Sequence, residues 1–430
     1  MAATRLFSHH SAFHETFFIL PFLLRLHTAG AFKPRLTVSS SFPPPPRRGA
    51  NLRKASNKPS PSRNLAFSPG RPKRRTRSGV DFDRDLYRRY TAYGHAPVML
   101  TEVLEVFALP RLRSFVDCTL GAAGHSSAII EAHRELELFV GLDVDPLALD
   151  KSRARIEALL SDGSRDELRA YTHVRNFKYI KAVLDGIDEN LLSEGVDGIF
   201  LDLGLSSMQV DHAERGFSIL GDGPLDMRMD PKGTLKAKDI INSWPETEVG
   251  RILRDYGEEN NWRFLQEKIV NARKGGGLHT TGELSDLVRK ASARSGGRQG
   301  WIKTATRVFQ ALRIAVNDEL QTLENAIYAC FDCLSSGGRL AVISFHSLED
   351  RIVKKTFLEL IEVGEGQEDK DDFTLYKNDK FVTEEQSWSK QIVVGRNGVI
   401  FTKRPITPCE DEERTSRRCR SAKLRVIQKH

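Results

Sequence analysis

Short apolar segments alternate with helix-like segments along residues 115–203, and this alternation constrains the fold more than any other feature. The strand-like segments are residues 115–118, 138–142, 171–174 and 198–203. Helical patterns begin near Ser126 and cover Pro146–Leu160. Such alternation is typical of a parallel sheet with helices on both faces. The sequence therefore predicts an α/β, Rossmann-like fold.

Strand signals stop at about residue 212 and return only after residue 300. The intervening stretch is polar and helix-prone, with glycine breaks at residues 275–277 and 296–297. We interpret residues 212–300 as a helical insertion between two parts of one sheet domain, 93–211 and 301–430. Residues 339–345 resume the sheet and residues 424–427 form a last strand. The charged segment 361–400 is expected to be loop with a hairpin.

One long apolar stripe predicts a single buried helix after the insertion. Its members recur every three or four residues: Phe309, Leu312, Val316, Leu320, Leu323, Ile327, Cys330 and Leu334. A polar stripe borders it: Thr306, Gln310, Arg313 and Asn317. Such residues either line a cleft or form a solvated flank. On the first interpretation, Gln310 and Arg313 are candidates for contacting a substrate.

A small-residue turn follows the first strand and opens a helix at residues 119–126. Small residues let a ligand approach the backbone, and the free amides of a helix N-terminus can bind an anionic group. Asp143 ends the next strand, 22 residues after Gly121, where an acid can accept hydrogen bonds from ribose hydroxyls. Asp202 ends a third strand and is expected to face the same crevice. The dinucleotide fingerprint G-x-G-x-x-G is absent, which leaves a compact adenosine cofactor such as S-adenosylmethionine.

The first eighty residues are basic and poor in apolar patterning. They hold 15 of the 65 Lys and Arg residues and a single acid, Glu15, whereas the remaining 350 residues carry 50 bases and 56 acids. This composition is typical of an organellar transit peptide rather than a packed fold. The Ser- and Pro-rich body favours a chloroplast over a mitochondrion. No segment is long and apolar enough to span a membrane, and no membrane partner is expected.

The five cysteines do not form a disulfide framework or an evident metal site. Cys330 and Cys333 form a C-x-x-C pair, but Cys330 belongs to the apolar stripe and no second pair accompanies it. We interpret both as core residues and predict no metal.

Six ordered motifs resemble one known enzyme family. They are Gly94-His95-Ala96-Pro97-Val98, the 119–126 turn, the segment from Leu201 to Ser207, Arg215-Gly216-Phe217-Ser218, the segment from Gly223 to Asp230, and the segment from Ser344 to Arg351. Together they resemble the small-subunit ribosomal RNA (cytosine-N4)-methyltransferases of the MraW, or RsmH, type. The resemblance covers residues 93–357 and short motifs near residues 403–405 and 421–425. It implies a Rossmann-like methyltransferase domain with a helical insertion.

The resemblance also implies which residues bind S-adenosylmethionine. They are Ala123, Gly124, His125, Asp143, Phe177, Asp202 and Gln209. Bacterial members usually have glycine where Ala123 stands. The added methyl group is tolerated if the local φ is negative, and the difference bears on direct backbone contact at this position. From the strand pattern alone, Phe177 would be a core aromatic.

Methylation at N4 of cytosine needs an aligned amine and a route for its proton, but no covalent nucleophile. Candidates for holding the amine or the base are Asp202, His346, Asp226 and Arg228. His346 is equally explained as a structural hydrogen-bonding hub. Because the chain after residue 80 is net acidic, RNA contact must come from local patches of basic residues. These are Arg307 with Arg313, or Arg414, Arg417, Arg418, Arg420 and Lys423.

The resemblance predicts small-subunit ribosomal RNA, within an assembling organellar subunit, as the partner. Two alternatives remain from the sequence. The chain could be a ribosome-assembly or RNA-binding factor that keeps the fold without turnover, or a methyltransferase with another acceptor. Both the small-residue turn and Asp143 are present, which favours an enzyme.

Overall fold

One eight-stranded sheet runs through the computed structural model, which describes residues 76–91, 96–109, 111–161, 167–292, 297–362 and 391–430. Its strands are β1 (Ser114–Asp117), β2 (Leu138–Asp143), β3 (Arg169–Val174), β4 (Val196–Asp202), β5 (Leu334–Ser344), β6 (Val393–Val394), β7 (Gly398–Ile400) and β8 (Lys423–Lys429). They lie in the order β3-β2-β1-β4-β5-β8-β7-β6. The first five pair in parallel and the last three pair antiparallel. The predicted α/β Rossmann-like class is confirmed.

The described residues form fifteen α-helices. They are α1 (Arg84–Tyr90), α2 (Leu100–Phe107), α3 (Gly124–Ala132), α4 (Pro146–Leu160), α5 (Ile180–Ile187), α6 (Leu191–Glu194), α7 (Ser207–Asp211), α8 (Ala237–Ser243), α9 (Glu246–Asp255), α10 (Trp262–Ala272), α11 (Thr281–Ala291), α12 (Gly297–Asn317), α13 (Glu319–Asp332), α14 (Ser347–Leu360) and α15 (Glu410–Thr415).

The sheet is buried on both faces, and successive strand residues point to opposite faces. In β1, Phe115 belongs to one hydrophobic cluster and Val116 to another. In β2, Phe139 belongs to the cluster of Phe115 and Val140 to the cluster of Val116. Helices on both sides supply the remaining members of each cluster. Apolar runs in the strands, rather than strict alternation, follow from this double burial.

The helical segment between β4 and β5 has a core of its own. α8 through α12 bury side chains such as Ile240, Ile252, Leu265 and Leu312 in a third cluster that is separate from the two sheet clusters. The predicted insertion, 212–300, ends inside α12, which continues to Asn317. The helical layer therefore extends further than the sequence pattern suggested, because α12 supplies one wall of its core.

The long buried helix predicted across residues 309–334 is wrong in one respect, since the structure divides it into α12 and α13. Asp318 adopts a left-handed conformation with φ 48° and separates the two helices. Asp tolerates this conformation better than most residues because its short side chain can hydrogen-bond locally. Val316 and Leu320 flank the break and are only partly buried, and Leu334 begins β5. The apolar residues keep their spacing of three or four positions across Asp318, so the sequence pattern did not indicate the break.

The folded part begins before the predicted start at Tyr93. Ser78 donates its backbone N–H to the carbonyl of Thr407 at 2.8 Å, and the N–H of Thr407 donates to the carbonyl of Thr76 at 2.9 Å. Tyr90 in α1 is buried. Residues 76–80 therefore belong to the fold and not to the preceding basic segment, because they pair with the chain just before α15.

Some predictions lie outside the described residues. These are residues 1–75 of the transit peptide predicted over 1–80, the start of the first motif at Gly94-His95, and residues 363–390 of the low-pattern segment predicted over 361–400. The expected hairpin is present as β6 paired with β7. Among the described residues, no helix combines the length and apolarity needed to cross a bilayer.

Candidate active site

The small-residue turn between β1 and α3 contains two residues with left-handed backbone. Gly121 has φ 50° and Ala123 has φ 57°. The φ of Ala123 is therefore not the negative value at which its methyl group is readily tolerated. A left-handed alanine costs roughly 1–2 kcal/mol, so the surrounding structure holds Ala123 in a strained position. Ala123 is the N-cap of α3 and offers no side-chain cap, which leaves the first amides of α3 suited to an anionic group.

Asp143 joins this turn to the end of β2. Its Oδ2 accepts the backbone N–H of Gly121 at 2.8 Å, and its Oδ1 accepts that of Asp145 at 2.9 Å. Burial raises the pKa of Asp143 to about 6, although these hydrogen bonds oppose the shift. Each carboxylate oxygen has a second lone pair. The carboxylate is thus fixed in place and can still accept hydrogen bonds from a ligand such as a ribose.

The side chains of Asp202 and His125 lie next to each other. His125 is buried, and its Nε2 lies 2.8 Å from the carbonyl of Val98, so Nε2 carries the proton. Its Nδ1 lies 3.8 Å from Oδ2 of Asp202. Burial lowers the pKa of His125 to about 4, so the imidazole is neutral at pH 7. Oδ1 of Asp202 is buried and has no hydrogen-bond partner among the described residues.

Three carboxyl groups line the ends of adjacent strands. Asp117 ends β1, Asp143 ends β2 and Asp202 ends β4, and the sheet order β2-β1-β4 places these strands side by side. Burial raises the pKa of Asp117 to about 6. Burial and the neighbouring Asp117 raise the pKa of Asp202 well above its ordinary value. This acid row favours a ligand that brings positive charge, because opposite charges attract strongly where water is scarce.

The other predicted cofactor residues lie in the segments that follow β1, β3 and β4. Gly124 is the first residue of α3, and an added Cβ would come within 3.4 Å of Pro97 and of the carbonyl of Tyr90. Phe177 is half-buried in the 3-10 turn that follows β3. Gln209 is buried in α7, where its Oε1 accepts the N–H of Ser206 at 3.1 Å. The structure therefore gives Gln209 a capping role at the start of α7.

His346 lies at the N-cap of α14, in a capping box with Glu349. Its Nδ1 accepts the N–H of Glu349 at 3.4 Å, and Oε2 of Glu349 accepts the N–H of Phe345 at 2.8 Å. Nε2 of His346 lies 2.9 Å from Oε1 of Glu349 without a well-formed hydrogen bond. These contacts match the structural hub considered for His346.

Glu319, His346 and Glu349 present ligand atoms within 4.8 Å of one another, a spacing that can hold a metal ion. Arg313 already supplies a positive charge at this cluster. Its guanidinium donates two hydrogen bonds of 2.8 Å to Glu319 and lies 3.9 Å from Glu349. We therefore assign no metal here.

The four candidate substrate residues make contacts within the protein. Asp226 accepts two hydrogen bonds from Arg228, at 2.7 and 2.8 Å. Burial opposes ionisation of Asp226, but these bonds hold its pKa below the ordinary value. Gln310 donates to the carbonyl of Tyr256 at 3.0 Å, and Arg313 is paired as described above. These contacts hold the loop at residues 226–233 and the flank of α12, and contact of these four side chains with a substrate stays a prediction.

An ion pair between Arg215 and Asp145 was not predicted from the sequence. Nη1 of Arg215 lies 2.6 Å from Oδ2 of Asp145, and Nη2 donates to the carbonyls of Arg228 and Met229. The arginine belongs to a quoted motif, and Asp145 follows Asp143 by two residues. Their separation of 70 positions left no local signal of the pairing. The pair ties the start of the helical insertion to the Asp143 loop.

Comparison with known proteins gives a consistent result. A family model described as the MraW methylase family matches residues 92–430. Proteins named "Ribosomal RNA small subunit methyltransferase H" are similar to this chain. The one from Paenibacillus sp. (strain JDR-2) is 40% identical over 351 residues, which cover 78% of this chain and 99% of the relative. Those from Heliobacterium modesticaldum and Protochlamydia amoebophila are each 42% identical, over 339 and 347 residues, with 78% of this chain covered and 99% and 98% of the relatives.

Proposed function

Because the chain belongs to the MraW methylase family, we infer that it is an S-adenosylmethionine-dependent rRNA methyltransferase, and we propose that it methylates N4 of a cytidine. The acid row formed by Asp117, Asp143 and Asp202 is the observation that carries this proposal. It lies at the carboxyl ends of the strands, where ligands bind in open α/β sheets. The relatives are named for small-subunit ribosomal RNA, and we extend that substrate to this chain.

The residues at the crevice suit the cofactor. Asp143 is fixed by two backbone N–H groups and retains acceptor capacity for ribose hydroxyls. Phe177, in the turn after the neighbouring strand, is suited to an adenine ring. The uncapped first turn of α3 suits a carboxylate. When bound, the cofactor supplies an electrophilic methyl group on a positively charged sulfur, and the acid row favours that charge.

Asp202 is the residue best suited to accept the proton that N4 loses. Its Oδ1 is buried and has no partner among the described residues. Burial raises its pKa, and a raised pKa makes a carboxylate a stronger base. His125 assists by position, because its Nε2–H is held by the carbonyl of Val98 and its Nδ1 lone pair faces Asp202. A proton gained by Asp202 therefore lies beside a neutral imidazole and not beside a cation.

The cysteines support an amine acceptor over carbon-5 methylation, which needs a nucleophilic thiolate. All five lie within the described residues and none is paired. Cys118, which follows β1, is buried, and burial together with neighbouring Cys330 raises its pKa well above the ordinary value. A buried thiol of this kind is a core residue. His346, the second catalytic candidate, is assigned a positioning role at the start of α14.

We further propose that the substrate lies in an organellar small subunit, in the chloroplast rather than the mitochondrion. The basic, acid-poor composition of the first eighty residues supports import. A base must be unstacked to reach a buried crevice. The chain after residue 80 has six more acids than bases, so it lacks the general basic charge that drives binding to naked RNA. Assembled subunits are accordingly expected to be better substrates than naked rRNA.

The test is methylation of small subunits from a strain that lacks the modification. The full chain is incubated with labelled S-adenosylmethionine, and the rRNA is digested to nucleosides. Label in N4-methylcytidine supports the proposal, and Asp202→Asn should abolish it while calorimetry still detects cofactor binding. Label in 5-methylcytidine, in an adenosine or in protein would show that the acceptor is wrong. Cofactor binding without any label would indicate the non-catalytic assembly factor.

A further inference from the structure

A short 3-10 turn, Arg417–Ser421, carries three exposed arginines and is called the arginine turn below. Arg417, Arg418 and Arg420 are exposed, whereas Cys419 between them is fully buried. The thiol of Cys419 lies 3.0 Å from the carbonyl of Ser416. The buried cysteine anchors the turn, and the three guanidinium groups are directed outward.

The arginine turn lies at the same end of the strands as the acid row, which is the carboxyl end of the parallel strands. It immediately precedes β8, which pairs antiparallel with β5 so that Lys423 lies opposite Ser344. The start of β8 therefore coincides with the carboxyl end of β5. Arg418 lies 3.4 Å from Asp211, at the end of α7, and α7 follows β4 and Asp202 in the chain. The turn thus forms part of the rim of the candidate active site.

Other basic residues that sequence analysis proposed for RNA contact are ion-paired. Arg307 pairs with Glu259, Arg313 with Glu319, Arg414 with Asp411, and Lys423 with Asp350. Arg417 and Arg420 form no ion pair with any residue that the structure describes. Arg417 and Arg420 are three positions apart in a 3-10 turn, where residues at this spacing lie on the same side. The turn is therefore the part of these patches that is available to an external anion.

We propose that the arginine turn binds backbone phosphates of the RNA strand that carries the target base. This inference rests on the proposed function, because the acceptor must enter the crevice beside the turn. Guanidinium groups bind phosphates in a bidentate manner. Such contacts fix the register of a nucleic acid without selecting its sequence. The acid row would repel an RNA backbone, so a positive rim is needed where the flanking nucleotides pass.

The test compares two charge reversals of equal size in the full chain. Arg417→Glu/Arg420→Glu removes the proposed contacts. Arg111→Glu/Arg134→Glu is the matched control, because both arginines are exposed and lie at the opposite end of the strands. Arg111 precedes the amino end of β1, and Arg134 precedes that of β2. Each double variant lowers the net charge by the same amount, so a general charge effect acts on both.

Affinity is measured by fluorescence anisotropy on a small-subunit rRNA fragment and as KM on intact subunits. Because charge-assisted contacts are lost, the Arg417→Glu/Arg420→Glu variant should bind the RNA with roughly 10- to 100-fold lower affinity. The slope of log affinity against log salt should fall by about 1.4–1.8, corresponding to two phosphates. The kcat and the affinity for S-adenosylmethionine should stay unchanged. The Arg417→Lys/Arg420→Lys variant keeps the charge and should retain most of the salt slope.

Two outcomes would overturn the inference. Wild-type affinity and salt slope in the Arg417→Glu/Arg420→Glu variant, or an equal loss in the control, would show that the turn makes no specific phosphate contact. A raised KM on subunits with unchanged affinity for naked RNA would place the contact on a ribosomal protein and also reject the proposal. If the wild type neither binds nor methylates small subunits, the proposed function itself fails, which is a separate result.

Discussion

Replacing Arg215 by methionine should destabilise the protein more than the loss of an ordinary surface charge. Arg215 joins the first loop of the helical insertion to Asp145, and it also holds the carbonyls of Arg228 and Met229. The side chain of Asp145 is only 1% exposed and that of Arg215 is 16% exposed. In Arg215→Met, the Asp145 carboxylate stays buried beside an apolar side chain. Removing one partner of a buried ion pair costs about 3–5 kcal/mol.

The measurement is urea-induced unfolding, extrapolated to water. Arg88→Met is the matched control, because Arg88 pairs with Asp85 at 3.3 Å with side chains 70% and 91% exposed. Its loss should cost under about 0.5 kcal/mol. The Arg215→Met/Asp145→Asn variant should recover part of the stability, since asparagine removes the buried charge and still caps α4. If Arg215→Met loses no more stability than Arg88→Met, the buried pair does not stabilise the fold as argued.

Three further expectations follow from the acid row and the basic segment before it. Asp143→Ala should weaken S-adenosylmethionine binding by about 1.5–3 kcal/mol because charged hydrogen bonds are lost, and Cys333→Ser should leave it nearly unchanged; equal calorimetric affinities would contradict the assigned crevice. The pKa of Asp117 is raised to about 6 from an ordinary 3.8. The folded state therefore favours the protonated carboxyl group, and the stability gained from it is present below pH 4 and is lost as the pH rises through 6. Asp117→Asn should reduce that loss by about 3 kcal/mol, measured as urea unfolding at pH 4 and pH 7, and an unchanged pH dependence would reject the assignment. Residues 1–75 fused to a fluorescent reporter should direct it to chloroplasts; mitochondrial signal would reverse the choice of organelle, and cytosolic signal would reject import.

The alternating part of the fold was predictable because its signals are local. Apolar runs bounded by turn residues mark β1 through β4, and the helix predicted at Pro146–Leu160 has those limits in the structure. Asp143 and Asp202 were predicted to face one crevice, and the structure places them at the ends of strands separated only by β1. In a parallel sheet the carboxyl ends of the strands lie on one side. The placement of these two acids could therefore be predicted from local sequence signals alone.

The features that sequence analysis missed depend on distant contacts or on backbone conformation. The break at Asp318 leaves the apolar spacing intact, and the left-handed φ of Ala123 is set by packing rather than by alanine itself. Residues 76–80 look like the preceding basic segment but pair with Thr407. Arg313 shows the same difficulty, because a polar stripe beside an apolar one is equally typical of a cleft or of a solvated flank, and neither predicts an ion pair with Glu319. The structure shows this pair at 2.8 Å.

The place of β8 in the sheet fixes the order in which the nascent chain can complete its fold. β8 lies between β5 and β7, although both precede it in the chain. During synthesis, the outer edge of β5 therefore stays unpaired, and the β6–β7 hairpin has no strand to join, until residues 423–429 have left the ribosome. An open strand edge recruits other chains, so the unfinished protein passes through a stage prone to aggregation and suited to chaperone binding. A stop codon shortly before β8 would leave every copy of the product in that state.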